Sequence, residues 1–260
     1  MNNLGIVFLS VIPLKESPSH KSETISQVLF GETCIILEDK DEWTKVQLVH
    51  DDYTGWILTS QWISIDIKNT KNLKLNRLNF GTAIFNNQKI FIPLGGYIWQ
   101  NDIDDEFLSQ YKFSEDINCL NEDTLYYPDD FIKTAESFLE APYLWGGKTI
   151  LGIDCSGLTQ SVYKANGIQL PRDAYQQAEL GRSIPFDKLK TADLAFFKNE
   201  KGRITHIGII HSIVNGQVNI IHGSGRVKID RLDEKGIIDL DQIDSITYSH
   251  HLAFIKRIIE

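Results

Sequence analysis

Near Tyr127 the apolar spacing of this chain changes from strand-like to helix-like. "PDDFIKTAESFLEA" opens with Pro128 and two acids, as a helix N-terminus should. Phe131, Ala135, Phe138 and Leu139 fall on one helical face, and Pro142 ends the run. "CSGLTQSVYKA" predicts a second helix with Leu158, Val162 and Ala165 along one side, and "RDAYQQAEL" a third, shorter one. Strands follow: "ADLAFFK", "THIGIIHS", "QVNIIHG" and "HLAFIKRII". Helices first and strands afterwards predict an α+β domain with an antiparallel sheet over residues 127–260.

Upstream of that change there are only short β-rich runs. "GIVFLSVIPL", "TCIILED", "WTKVQLV" and "GWILTSQWI" each suit a strand of about four to eight residues, and polar turns separate them. Residues 1–65 are therefore expected to form a small barrel. "GTAIFNN", "KIFIPLGG" and "YIWQND" suggest a second, less regular β-rich segment over 66–126, a degenerate barrel by this reading. Its identity with the first segment is too weak to make a repeat. A chain of 260 residues has room for several domains.

With 42% hydrophobic and 23% charged residues, the chain reads as an ordinary globular protein. A net charge of −9 argues against a broad nucleic-acid or anionic-membrane footprint. The three cysteines, Cys34, Cys119 and Cys155, do not make a disulfide framework, and reduced thiols are expected. The opening "MNNLGIVFLSVIPL" has no Lys or Arg before its short apolar run, so a strand is expected rather than a leader. No apolar run approaches the roughly 18–20 residues of a membrane span. A cytoplasmic monomer is the expectation.

Cys155 stands where a glycine-rich loop, "YLWGGKTILGID", becomes a helix. N–H groups at a helix start favour thiolate over thiol and can donate to an oxyanion. Asp154 and Ser156 make the surroundings polar, and Gly146, Gly147, Gly152 and Gly157 are expected to keep the backbone open to a ligand. These are the needs of an acyl-transfer nucleophile. A buried structural cysteine is the competing reading.

A thiol nucleophile needs a base. Of seven histidines, His20, His50, His250 and His251 sit in polar or terminal contexts and are expected to be solvated. His206 and His211 stand an odd number of residues apart, so in a regular strand they face opposite ways. His206 is the expected base, with room beside it from Gly208. His222, ending the next strand, is the expected orienting residue if the two strands are neighbours.

The segments "YLWGGKTILGIDCSGLTQSVYKANGIQLPRDAYQQ", "ADLAFF", "HIGIIH" and "IIHGSG", in that order, resemble the NlpC-type family of papain-like cysteine peptidases, which act on bacterial cell-wall peptides. "SQVLFGE", "WTKV" and "YTGW" resemble the bacterial SH3-like barrels attached to such enzymes. The fold implied is multidomain: one or two N-terminal all-β SH3-like barrels, then an α+β papain-like catalytic domain. The arrangement is similar to that of γ-D-glutamyl-L-diamino acid endopeptidases, which recycle murein tripeptides and tetrapeptides with a free N-terminal L-Ala.

That resemblance implies Cys155, His206 and His222 as catalytic residues. It implies Glu32, Tyr53, Trp145, Asp154, Ser156 and Asp173 on the substrate side, with Glu32, Tyr53 and Asp154 toward the N-terminal amine. Bland readings compete: Glu32 as a solvated turn residue, Tyr53 on the barrel surface, Trp145 in the core, Asp154 as a helix cap. Arg172 is also placed toward substrate. Ala174 replaces the hydroxyl residue common in relatives, and Ala192 a common glycine. No cofactor or metal is expected, although a metal site made of Cys155, His206 and His222 competes with that expectation. A non-catalytic wall-peptide-binding module and an acyltransferase working through the same thioester compete with the peptidase reading.

Overall fold

Thr44, Val46 and Leu48 are buried while Lys45 and Gln47 between them are half-buried, and this alternation makes Trp43–Leu48 a strand with one face on a core. The computed structural model describes residues 3–66, 73–99, 105–114, 127–241 and 247–259. It divides into two compact units, Met1–Thr124 with Gly167–Gln169, and Leu125–Asn166 with Leu170–Glu260. Cys119 and part of the "YIWQND" run lie outside the described residues.

The first unit holds a seven-stranded antiparallel sheet of Leu4–Val7 (β1), Val11–Lys15 (β2), Thr24–Leu29 (β3), Thr33–Lys40 (β4), Trp43–Leu48 (β5), Thr54–Leu58 (β6) and Trp62–Ser64 (β7). The strand order is β3-β2-β6-β5-β4-β1-β7. Ile12, Leu14, Val28, Cys34, Val46, Leu48 and Ile57 fill its core.

Leu73–Leu75 (β8), Gly81–Phe85 (β9), Gln88–Ile92 (β10), Tyr97–Trp99 (β11) and Lys112–Phe113 (β12) follow, in the small sheets β10-β9-β12 and β11-β8. A second apolar core joins this segment to the first, with Ile6, Phe30 and Ile65 meeting Ile92, Trp99 and Tyr111. Phe30 stacks on Trp99 at 5.2 Å. Gly31 is required beside it: its φ is +75°, and a β-carbon there would lie 2.1 Å from the Tyr97 carbonyl oxygen.

In the second unit, Pro128–Glu136 (α1) ends earlier than the sequence pattern predicts. Phe131, Ala135 and Phe138 are buried, but Leu139 lies beyond the helix and is exposed. Cys155–Ala165 (α2) is buried all round rather than along one side. Its polar residues are internally bonded: Thr159 donates to Gln177 (2.6 Å) and Gln160 to the Leu170 carbonyl (3.0 Å). Ala174–Gln177 (α3) is the short third helix.

A hairpin of Lys148–Thr149 (β13) and Gly152–Ile153 (β14) precedes α2. The main sheet contains Arg182–Ile184 (β15), Leu194–Lys198 (β16), Ile204–Val214 (β17), Gln217–Ser224 (β18), Arg226–Leu232 (β19), Gly236–Ile238 (β20) and Tyr248–Arg257 (β21). It is antiparallel, in the order β15-β21-β16-β17-β18-β19-β20, and β20 also pairs with β21. Ala192 has a φ of +69°, the left-handed backbone that explains why glycine suits this turn. Asp193 next to it holds Arg257 through two bonds of 2.7 Å, a structural role.

Candidate active site

Asp154 caps α2 by accepting the Gly157 N–H at 2.6 Å, which puts Cys155 in the first turn. Backbone packs tightly here. A β-carbon on Gly157 would lie 2.2 Å from the Gly147 carbonyl oxygen, and one on Gly147 2.3 Å from that of Gly152. These glycines let the loop, hairpin and helix start approach one another, rather than holding space for a ligand. Beneath the helix start lies Gly223 of β18, where a β-carbon would stand 3.6 Å from the Cys155 Cα.

Asp154 does more than cap. Its carboxylate accepts from the Gly146 N–H (2.8 Å), from the Ser156 hydroxyl (3.4 Å), and from both terminal nitrogens of Arg172 (3.1 and 2.5 Å). Arg172 also donates to the Ser156 Oγ at 2.9 Å and is 1% exposed. Arg172 is therefore a buried brace behind the helix start, not a surface group facing substrate. Ser156 is buried in the same cluster.

Burial, and then the Asp154 charge, push the Cys155 thiol up to about 12, while the Ile207 and Ser156 N–H groups and Arg172 pull the other way. Burial and the Asp154 charge thus oppose the thiolate that the helix start by itself would favour. The Ile207 N–H contact also sets the thiol beside β17 next to His206.

His206 is buried on β17, its Nε2 2.9 Å from Nδ1 of His222 on β18. Register explains the meeting: Gly208 pairs with His222, and a β-carbon on Gly208 would lie 3.0 Å from the His222 Cβ and 2.8 Å from Ile220. The space Gly208 leaves is thus taken by His222 and Ile220. His211 sits at a β-bulge, and its Nε2 meets Glu136 of α1 at 2.8 Å.

Three further residues next to this cluster carried no signal in the sequence patterns. His250 of β21, expected to be solvated, stacks on His206 at 3.9 Å with the planes 20° apart. Burial, then His250 and His222, lower the His206 pKa well below the ordinary histidine value. Asp230 of β19 accepts from the His222 Nε2 at 3.0 Å. Tyr143 lies near the thiol: burial first, then Cys155 and Asp154, push its hydroxyl up to about 12. Both shifts run toward the neutral form of each group, thiol and imidazole.

His206, His222 and His250 bring ring nitrogens within 4.8 Å of one another. Near-parallel rings at 3.9 Å aim their in-plane lone pairs side by side, and the His206–His222 contact is a hydrogen bond. That geometry suits a proton relay better than convergence on a tetrahedral ion, whose nitrogens lie about 2.0–2.1 Å from the metal.

Trp145 is 61% exposed, so it is not a core aromatic, and Leu144 before it and Leu151 in the turn between β13 and β14 are exposed too. Asp173 precedes α3, its N–H bonded to Gln176 and its carboxylate to the Tyr175 hydroxyl. In the first unit Glu32 is fully buried rather than solvated. Its Oε2 accepts the Leu29 N–H at 2.8 Å and its Oε1 lies 3.5 Å from the His50 Nε2. The His50 side chain is accordingly 7% exposed rather than solvated, with Asp51 at 3.1 Å. Tyr53 is partly buried and packs against the barrel core.

Comparison with known proteins gives two family matches. Residues 140–241 match the NlpC/P60 family and residues 14–61 the bacterial dipeptidyl-peptidase Sh3 domain. Gamma-D-glutamyl-L-lysine dipeptidyl-peptidase of Bacillus subtilis (strain 168) is 32% identical over 256 residues, covering 89% of this chain and 80% of that one. Dipeptidyl-peptidase 6 of Lysinibacillus sphaericus is 26% identical over 262 residues, covering 89% and 92%. The crystal structure of an NlpC/P60 family protein from Bacillus cereus shares the fold, with a TM-score of 0.80 at 19% identity over 99% of this chain and 100% of that one.

Proposed function

We propose, for a chain that belongs to the NlpC/P60 family of cysteine peptidases and carries a bacterial dipeptidyl-peptidase SH3 domain, that its substrate is a murein peptide with a free N-terminal L-Ala. The bond cut is the one between the γ-carbonyl of D-Glu and the following diamino acid, diaminopimelate or lysine. The role is recycling of released wall peptides in the cytoplasm by a monomer. The observation that carries the chemistry is the Cys155 thiol at a capped helix start, bonded to the backbone of Ile207, which follows His206 of the His206–His222 pair.

In this reading His206 takes the thiol proton as Cys155 Sγ attacks the γ-carbonyl. The Cys155 N–H and the protonated Tyr143 hydroxyl stabilise the oxyanion. The imidazolium then gives its proton to the leaving amine, and water activated by His206 hydrolyses the thioester. The relatives' names support the γ-D-glutamyl bond. Resemblance in "FGE" and "YTGW" supports Glu32 and Tyr53 as receivers of the L-Ala ammonium, a charge-assisted contact. The same resemblance supports Asp154 near that amine, Ser156 near the scissile region and Asp173 on the substrate side, and the exposure of Trp145 supports its role as an apolar wall.

The test is hydrolysis of L-Ala-γ-D-Glu-diaminopimelate and its lysine counterpart, free and N-acetylated, with products read by mass. Release of L-Ala-γ-D-Glu from the free peptides alone is expected. Equal cleavage of the acetylated peptides would remove the role of the ammonium site.

A further inference from the structure

We propose that Asp230 is a positioning residue that fixes, through His222, which nitrogen of His206 carries the proton and which is free to take one from Cys155. This rests on the reading of Cys155 and His206 as nucleophile and base. Nothing in the motif order points to Asp230, which lies on β19, one strand beyond His222.

Asp230 is 1% exposed and its two oxygens are surrounded by donors: the Leu240 N–H reaches Oδ1 at 3.0 Å, while the Lys228 Nζ (3.1 Å) and His222 Nε2 (3.0 Å) reach Oδ2. Burial alone would raise its pKa, but His222, the Leu240 N–H and Lys228 bring it down to about 2. An ionised carboxylate only accepts. His222 must therefore carry a proton on Nε2.

In the proposal the other nitrogen of His222, Nδ1, is bare and offers a lone pair to its neighbour. The partner 2.9 Å away, His206 Nε2, must donate to it. With Nε2 protonated and the buried ring neutral, His206 has its lone pair on Nδ1. When Sγ attacks the carbonyl carbon, the S–H proton moves to this Nδ1. The resulting imidazolium keeps its Nε2–H bond to His222, and the Asp230 charge lies behind it. No proton needs to reach Asp230. Among the described residues, the charged or titratable groups next to the two rings are His250, Asp230 and Lys228, and Lys228 in turn holds Asp239 and Asp241.

Two measurements test this. Long-range ¹H–¹⁵N correlation on histidine-labelled wild-type protein is expected to show both His206 and His222 protonated at Nε2 and bare at Nδ1. His206 protonated at Nδ1 instead would overturn the proposal. This readout needs neither substrate nor variant, so it fails independently of the proposed activity. The second is Asp230→Asn, whose amide can donate to His222 Nε2 and invert both tautomers. The expected result is a kcat lowered by about 100-fold or more with KM within about twofold, together with the inverted ¹⁵N pattern. A folded Asp230→Asn with near wild-type kcat and unchanged tautomers would overturn it. If that variant fails to fold, the wild-type spectrum decides.

Discussion

His250 lies flat against His206, with ring centroids 3.9 Å apart and planes 20° from parallel, so one face of the proposed base is closed by a second imidazole. Burial lowers the His206 pKa most, and the nearby His250 lowers it further. His250→Ala would open that face to water and relieve part of the burial that lowers the His206 pKa. The His206 pKa should then rise toward the ordinary value of about 6.5. The acid limb of the kcat/KM profile is expected to move to higher pH, so activity at pH 5 falls more than activity at pH 8. A profile that does not move would show that the stack does not tune the base.

His222 gives His206 Nε2 its buried partner. His222→Ala removes it and leaves the ring free to turn and change tautomer. Steady-state kinetics should show kcat lower by about 10²–10⁴-fold with little change in KM. A loss confined to KM would place His222 in substrate binding instead.

Cys155 is held as a thiol by burial and by Asp154, with a pKa pushed up to about 12. Free cysteine titrates near about 8.5. In the resting enzyme, alkylation of Cys155 by iodoacetamide, followed on its own peptide by mass, should be slower at pH 7.5 than that of a small thiol. It should keep rising toward pH 11. A plateau below pH 7 would mean a preformed thiolate.

Arg172 and Asp154 form a buried ion pair that ties the segment before α3 to the start of α2. Arg172→Ala takes the guanidinium away from a carboxylate that stays buried. The cost expected from such a break is about 3–5 kcal/mol, measured as a lower urea midpoint at pH 7. An unchanged midpoint would show that water replaces the guanidinium without penalty.

The sequence was informative where chemistry and local pattern coincide. Pro128 with two acids marks a helix start, Asp154 is a capping type directly before Cys155, and the His206 and His222 strands are adjacent in the chain and in the sheet. Where several strands must be in register, the local pattern was silent. His250 looks solvated beside His251, but β21 pairs with β16, and the β16–β21 bulge at Phe196/Phe197 belongs to no sequence motif. Asp230 needs the β18–β19 register to meet His222. Arg172 shows a different limit. A guanidinium in a loop reads as solvated, and its burial follows from bonds to Asp154 and Ser156 that the fold alone brings within reach. The glycines around Cys155 were legible as necessary, though their use in backbone contact required three segments placed together.

The most direct test of the account is the mass of the products formed from L-Ala-γ-D-Glu-diaminopimelate by wild-type protein and by Cys155→Ala at equal concentration. Wild type is expected to release L-Ala-γ-D-Glu and free diaminopimelate, and Cys155→Ala to release neither while keeping the wild-type stability within about 1 kcal/mol by urea unfolding. Release of the dipeptide by a folded Cys155→Ala at the wild-type rate would contradict the account, because no thioester could then lie on the path.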